Sequence, residues 1–390
     1  MSKLGLSGRL GKCGRGASVR LKRPPSLQDP ATYKAKLEKF DMPQILKNPW
    51  RGRGLNLDCP APSIDHATVS QLLALCPAHK ATPLLCVPKL AKNAGVSEVF
   101  VKDERGRMEL GSFKALGAAY AIAWKASAVV DQNNWAVALS GQTFVTASAG
   151  NHGLSVAAGA RLFGAQSCIY LSETVPPSFA LRLEKMGAQV VRAGTNYEAS
   201  MVAAQQAAEI NGWTLLSDSS WPGYLDLPYR VMEGYLEMAS EASKQLDMPP
   251  THILLQAGVG GMAAAVAAFA RNTWGDEPQI LIVEPEAAPA LLESIRAGRV
   301  LETKGPVSAM GRLDCKTPSL IALQGLAKDA DMFLTINEEE AAAGVEVLSK
   351  CNLHTSPSGG AGLSAIIAGL NLGRDARVLS FMSEGAQSTV

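Results

Sequence analysis

The run Ile253-Leu254-Leu255-Gln256-Ala257 leads directly into Gly258-Val259-Gly260-Gly261-Met262, and an alanine-rich stretch from Gly261 to Phe269 follows. A buried-strand signal, a glycine turn and a helix-forming stretch in that order constrain the chain most. They deliver the backbone from a strand to a helix N-terminus. The pattern recurs along the chain. Val99-Phe100-Val101, Ser167 to Leu171, Gln189-Val190-Val191, Gln279 to Val283 and Val378 to Phe381 read as buried strands. Gly153 to Leu162 and Tyr197 to Glu209 read as helices between them. Such alternation predicts an α/β fold with open, mainly parallel sheets flanked by helices.

Composition narrows the function. At 390 residues the chain exceeds one ordinary domain, and a hydrophobic share of 47% is ample for a core. A charged share of 18% favours a compact, oligomeric enzyme over a disordered protein. A net charge of +2 leaves no electrostatic footprint for nucleic acid. The 7 cysteines are scattered, with no C-x-x-C pair and no histidine spacing suited to zinc. We therefore expect reduced thiols, a cytoplasmic setting and no metal. No apolar run approaches a membrane span. The first 28 residues carry seven Lys or Arg and no acid; residues 1–32 read as a disordered basic tail rather than an organellar transit peptide.

Three local features carry the chemistry. Gly111-Ser112-Phe113-Lys114-Ala115-Leu116-Gly117-Ala118 sets one lysine among small and apolar residues, with no carboxylate in the three positions that follow. That setting is expected to lower the amine's pKa and make it a nucleophile or Schiff-base partner. Thr146 to Gly153 and Gly258 to Met262 are glycine-bearing turns whose backbone N–H groups, aided by a helix dipole, suit an anion. A reactive lysine, an Asn-His turn and a phosphate cradle jointly fit pyridoxal phosphate. The rival is a dinucleotide fingerprint, with Glu284 or Glu286 on a later strand. Its spacing here is G-x-G-G rather than G-x-G-x-x-G, and it leaves Lys114 unexplained.

These residues resemble those of fold-type II pyridoxal-phosphate enzymes, the tryptophan synthase β-like group that includes threonine dehydratase and serine racemase. The group's motifs are Thr82-Pro83-Leu84, Lys102-Asp103-Glu104, Ser112-Phe113-Lys114, Ser148 to Gly153 and Val283-Glu284-Pro285-Glu286. Narrower motifs are Ser217 to Tyr224, Met232 to Tyr235, Ala309 to Cys315 and Ser383-Glu384-Gly385. By these the chain is most similar to the diaminopropionate ammonia-lyases. The resemblance runs from about Pro77 to the C-terminus. It implies two lobes, with a small lobe at residues 118–222 inserted into a cofactor lobe made of 33–117 and 223–390. It also implies a homodimer acting on a small amino acid, with neither a nucleic acid nor a membrane as partner.

The resemblance assigns roles residue by residue. Lys114 carries the cofactor and moves the substrate's Cα proton. Phe113 lies against the ring or is plain core. Asn151 bonds the ring's 3'-oxygen, and Gly258, Val259, Gly260, Gly261 and Met262 enclose the phosphate. Ser383 meets the pyridine nitrogen, where a neutral hydroxyl gives a weaker electron sink suited to elimination. Ser148, Ala149, Gly150 and His152 surround the substrate carboxylate, although His152 also reads as a structural histidine. Asp218 faces the β-substituent, or merely belongs to the capping sequence Ser217-Asp218-Ser219-Ser220. One position departs from the pattern. Ala149 stands where the ammonia-lyases carry an aspartate, to which the family's action on D-isomers is attributed. Serine, threonine and 3-hydroxyaspartate thus remain alternatives to 2,3-diaminopropionate as substrate, and a cofactor-binding relative without catalysis remains a further reading.

Overall fold

The computed structural model describes residues 44–131 and 134–386. The basic tail expected at 1–32 lies outside them. Two sheets organise the described chain. The larger is 7-stranded and is ordered β1-β10-β9-β8-β11-β3-β2. Its strands are β1 (Ile45–Lys47), β2 (Leu84–Cys86), β3 (Glu98–Asp103), β8 (His252–Gln256), β9 (Gln279–Pro285), β10 (Met332–Ile336) and β11 (Arg377–Met382). The smaller, 4-stranded sheet has the order β6-β5-β4-β7. It comprises β4 (Thr143–Ala147), β5 (Gln166–Leu171), β6 (Gln189–Arg192) and β7 (Thr214–Leu215), all parallel.

Only the edge strands β1 and β2 of the large sheet pair antiparallel; its interior neighbours pair parallel. Interior strands such as β8 and β11 are covered on both faces, which is why they read as continuous apolar runs rather than alternating ones. Small residues let the helices approach closely. A Cβ added at Gly159 would lie 2.8 Å from Ile122 Cδ1, where the Asn151–Leu162 helix crosses the Lys114–Ser127 helix. The expected lobe boundary at residues 117 and 118 falls inside that second helix.

A buried ion cluster supports the segment leading to Lys114. Arg107, fully buried, donates Nε to Glu104 Oε2 at 2.7 Å and Nη2 to Glu241 Oε2 at 2.7 Å. Lys102 Nζ reaches the same Glu241 oxygen at 2.6 Å. Among the described residues, no helix is long and apolar enough to cross a membrane.

Candidate active site

The end of β11 fixes the lysine. Phe113 N–H donates to the Ser383 carbonyl at 3.1 Å, and Gly385 N–H to the Gly111 carbonyl at 3.1 Å. This clamp starts the Lys114–Ser127 helix with Lys114 as its first residue. The Phe113 ring lies 4.8 Å from that of Tyr235, which packs so tightly on the helix that a Cβ at Gly117 would meet Tyr235 Cε1 at 2.6 Å.

Asp218 comes from the smaller sheet. Leu216 continues β7 with a 2.8 Å bond to the Val145 carbonyl, and Tyr224 clamps the turn beyond it. The Tyr224 hydroxyl accepts from Ser217 N–H at 3.1 Å and donates to the Leu215 carbonyl at 2.8 Å. Ser220 accepts from Ile321 N–H at 3.0 Å, so the capping reading of this segment holds for the serine. Asp218 points elsewhere and forms an ion pair with Lys114.

That pair overturns one expectation. Burial alone would depress the Lys114 pKa, yet the Asp218 carboxylate outweighs it and holds the amine above its ordinary value. Burial in turn disfavours the Asp218 charge, but Lys114 and its hydrogen bond hold the carboxyl well below the usual range. The carboxylate that decides this lies 104 positions away in sequence, where local spacing could not reveal it. His152, 4% exposed, donates Nε2–H to the Leu216 carbonyl at 2.8 Å. Burial and the Lys114 charge lower its pKa and keep it neutral. Its Nδ1 is buried with no hydrogen-bond partner among the described residues, so only one of its ring nitrogens is satisfied.

The glycine turn sits beside the pair. Gly260 has φ +95°, a backbone only glycine adopts readily, and it delivers the chain into the Gly261–Trp274 helix. The first amides of that helix lack intrahelical acceptors. A Cβ at Gly261 would meet nothing nearer than the Tyr235 ring at 3.7 Å, with the Asp218 carbonyl at 3.9 Å. An added Cβ at Gly261 thus meets only ordinary contacts, and the turn lies against Tyr235 and the Asp218 backbone. Val259 N–H lies on Cys315, whose thiol burial pushes up to about 12, and Met262 is buried at the helix start. Glu284, the ribose ligand of the dinucleotide reading, is spent. Its oxygens accept from Leu291 and Leu292 N–H at 2.7 and 2.8 Å.

Asn151 opens its helix at the end of the turn that follows β4. Ser148 Oγ accepts from Gly150 N–H at 3.3 Å, and Gly153 is required because a Cβ there would lie 2.3 Å from the Ser148 carbonyl oxygen. Ala149, partly buried against the core, brings no polar group. The Asn151 amide donates to Glu384, which also accepts from Ser356 Oγ. The sequence reading missed Glu384 as a site residue, although it quoted Ser383-Glu384-Gly385. It also missed Arg312 and Cys315, both within the quoted Ala309 to Cys315 motif. A Cβ at Gly258 would lie 3.0 Å from Cys315 Sγ, and one at Gly150 would lie 2.8 Å from Arg312 Nη1. Lysine, aspartate, asparagine, serine and both glycine turns thus converge on one locality.

An amine paired with a carboxylate beside the start of a helix suits an aldehyde cofactor bearing a phosphate. The chain belongs to the pyridoxal-phosphate dependent enzyme family, whose model matches residues 75–384. It is 30% identical over 337 residues to the diaminopropionate ammonia-lyase of Escherichia coli K12, covering 79% of this chain and 85% of that protein. It is 28% identical over 296 residues to the serine dehydratase-like protein of Mus musculus, covering 75% and 84%. The crystal structure of the Escherichia coli diaminopropionate ammonia-lyase in complex with D-serine superposes with a TM-score of 0.79 at 28% identity, covering 88% of this chain and 94% of that one. The fold is that of fold-type II enzymes, and the cofactor is pyridoxal phosphate.

Proposed function

We propose that the chain is an ammonia-lyase that eliminates the β-substituent of a small amino acid, with 2,3-diaminopropionate as its first substrate. With one water, that substrate gives pyruvate and two ammonia. The Lys114–Asp218 pair carries this reading. Bound pyridoxal phosphate supplies an electron sink for the charge left at Cα. Lys114 would hold the cofactor, and its free amine would take the Cα proton. Released from the lysine, Asp218 is a part-buried carboxylate able to hold a β-ammonium and guide its departure. The amides of Gly258, Gly260, Gly261 and Met262, with that of Val259 once it leaves Cys315, would take the phosphate, Asn151 the ring oxygen and Ser383 the ring nitrogen. Ser148, Ala149, Gly150 and the His152 amide surround the substrate carboxylate. The 118–222 lobe, by this reading, closes over the cofactor lobe. The enzyme is further proposed to be a cytoplasmic homodimer, on the resemblance to the group and the reduced thiols expected from its cysteines.

Ala149 supports a second reading, a hydroxyamino-acid dehydratase acting on serine, threonine or 3-hydroxyaspartate. The deciding experiment is kcat/KM for L- and D-diaminopropionate, L-serine, L-threonine and 3-hydroxyaspartate on wild type and Asp218→Asn. Diaminopropionate should lead, in its L form, and Asp218→Asn should cost it about 100-fold or more. A lead for serine or threonine that survives Asp218→Asn replaces the ammonia-lyase with the dehydratase. Full cofactor occupancy with no 2-oxo acid from any substrate leaves only the non-catalytic reading.

A further inference from the structure

Arg312 stands over the turn that opens the Asn151 helix, and the reaction as derived above does not use it. Its loop is firmly held. Arg312 N–H donates to Ser358 Oγ at 3.1 Å, Leu313 N–H to the Met310 carbonyl at 2.8 Å, and Met310 is fully buried. The guanidinium lies flat against Gly150, close enough that a Cβ there would meet Nη1 at 2.8 Å and Cζ at 3.0 Å. Its Nε donates to Glu384 Oε2 at 3.4 Å, a long bond to a carboxylate that Asn151 and Ser356 already engage. Among the described residues the two terminal nitrogens have no acceptor. Arg312 lines a cavity of about 440 Å³ together with Thr355, Ser356, Ser358 and Glu384.

A guanidinium presents donors in a planar fork that matches a carboxylate with two parallel hydrogen bonds. Here the fork is fixed at Gly150, one residue before Asn151. We infer that Arg312 binds a carboxylate of the amino-acid substrate above Gly150 and thereby orients Cα for the lysine. This rests on the proposed function and deepens it, because it names a substrate group and the residue that takes it. The carboxylate is either the α-carboxylate or a second one on the β-carbon, as in 3-hydroxyaspartate. Glycine at position 150 follows from the arrangement, since any side chain would displace the guanidinium.

The test is a titration of cofactor-loaded wild type, Arg312→Met and Arg312→Lys with three ligands that have no leaving group. They are L-alanine, L-aspartate and L-alaninamide, followed through the visible absorption of the bound cofactor. Wild type without that absorption would defeat the proposed function rather than this inference, so the two failures separate. Arg312→Met should weaken L-alanine binding roughly 10- to 100-fold and leave L-alaninamide unchanged within about twofold. Arg312→Lys should recover part of the loss. A loss confined to L-aspartate assigns the fork to a second carboxylate. Unchanged binding of all three ligands, or an equal loss that includes the amide, overturns the assignment.

Discussion

Lys114 and Asp218, 104 residues apart, meet as a part-buried ion pair between the start of the Lys114–Ser127 helix and the turn after β7. Each sets the protonation of the other. The lysine is held charged and the aspartate ionised, both against their burial.

The signs fix how cofactor-free protein responds to pH. The aspartate's pKa is lowered on folding, so its contribution is present above its unfolded value near ~4 and is lost as pH falls through the folded one. The lysine's is raised, so its contribution is present below its unfolded value near ~10 and is lost as pH rises through the folded one. The pair therefore stabilises fully across neutral pH. It also slows loading, because a protonated amine does not attack an aldehyde. Asp218→Asn should load pyridoxal phosphate faster at pH 7, by about tenfold for each unit that the lysine's pKa falls. Stopped-flow absorbance measures it, and equal rates would show that the pair does not govern the amine.

Gly260 and Gly261 separate backbone strain from phosphate contact. Gly260→Ala places a side chain at φ +95° and a Cβ 3.0 Å from Leu291 Cδ1, so it should destabilise the fold by about 1–3 kcal/mol. Gly261→Ala meets only ordinary contacts and should leave urea unfolding unchanged while weakening cofactor binding. Comparing urea midpoints with equilibrium cofactor binding for both variants checks the distinction.

Arg107 anchors the segment that carries Gly111 to Lys114. Its removal in Arg107→Ala strands the Glu104 carboxylate in the interior and leaves Glu241 with Lys102 as its cation, at a cost of about 3–5 kcal/mol. Chemical denaturation should show that loss, and a loss within 1 kcal/mol would mean that the carboxylates reach water or take up protons.

Ala149 is the one apolar position in the substrate turn. Ala149→Asp restores the carboxylate that the ammonia-lyases carry at this position, so it should raise turnover of D-diaminopropionate relative to the L form. Separate kcat/KM values for the two isomers read the change directly. An unchanged ratio would show that the isomer preference is set elsewhere.

Much of the architecture was legible because it depends on local signals. Strands buried on both faces must be continuously apolar, so β3, β5, β8, β9 and β11 stood out in the sequence. The edge strands β1 and β2 did not, since they are three residues long and pair from one side only. The glycine turn after β8 was visible because a positive φ requires glycine. The motifs likewise pointed to Lys114, Asn151 and Ser383.

The sequence by itself determined the α/β class and singled out Lys114 and the glycine turn after β8, because strand burial, helix starts and glycine backbones are written within a few residues. Only the tertiary structure decided the charge state of Lys114, the grip of Glu384 on Asn151 and the seat of Arg312 on Gly150. Those three depend on groups brought together from distant segments. Electrostatic interaction and steric exclusion act through space within a few ångströms, and separation along the chain does not report which groups will meet.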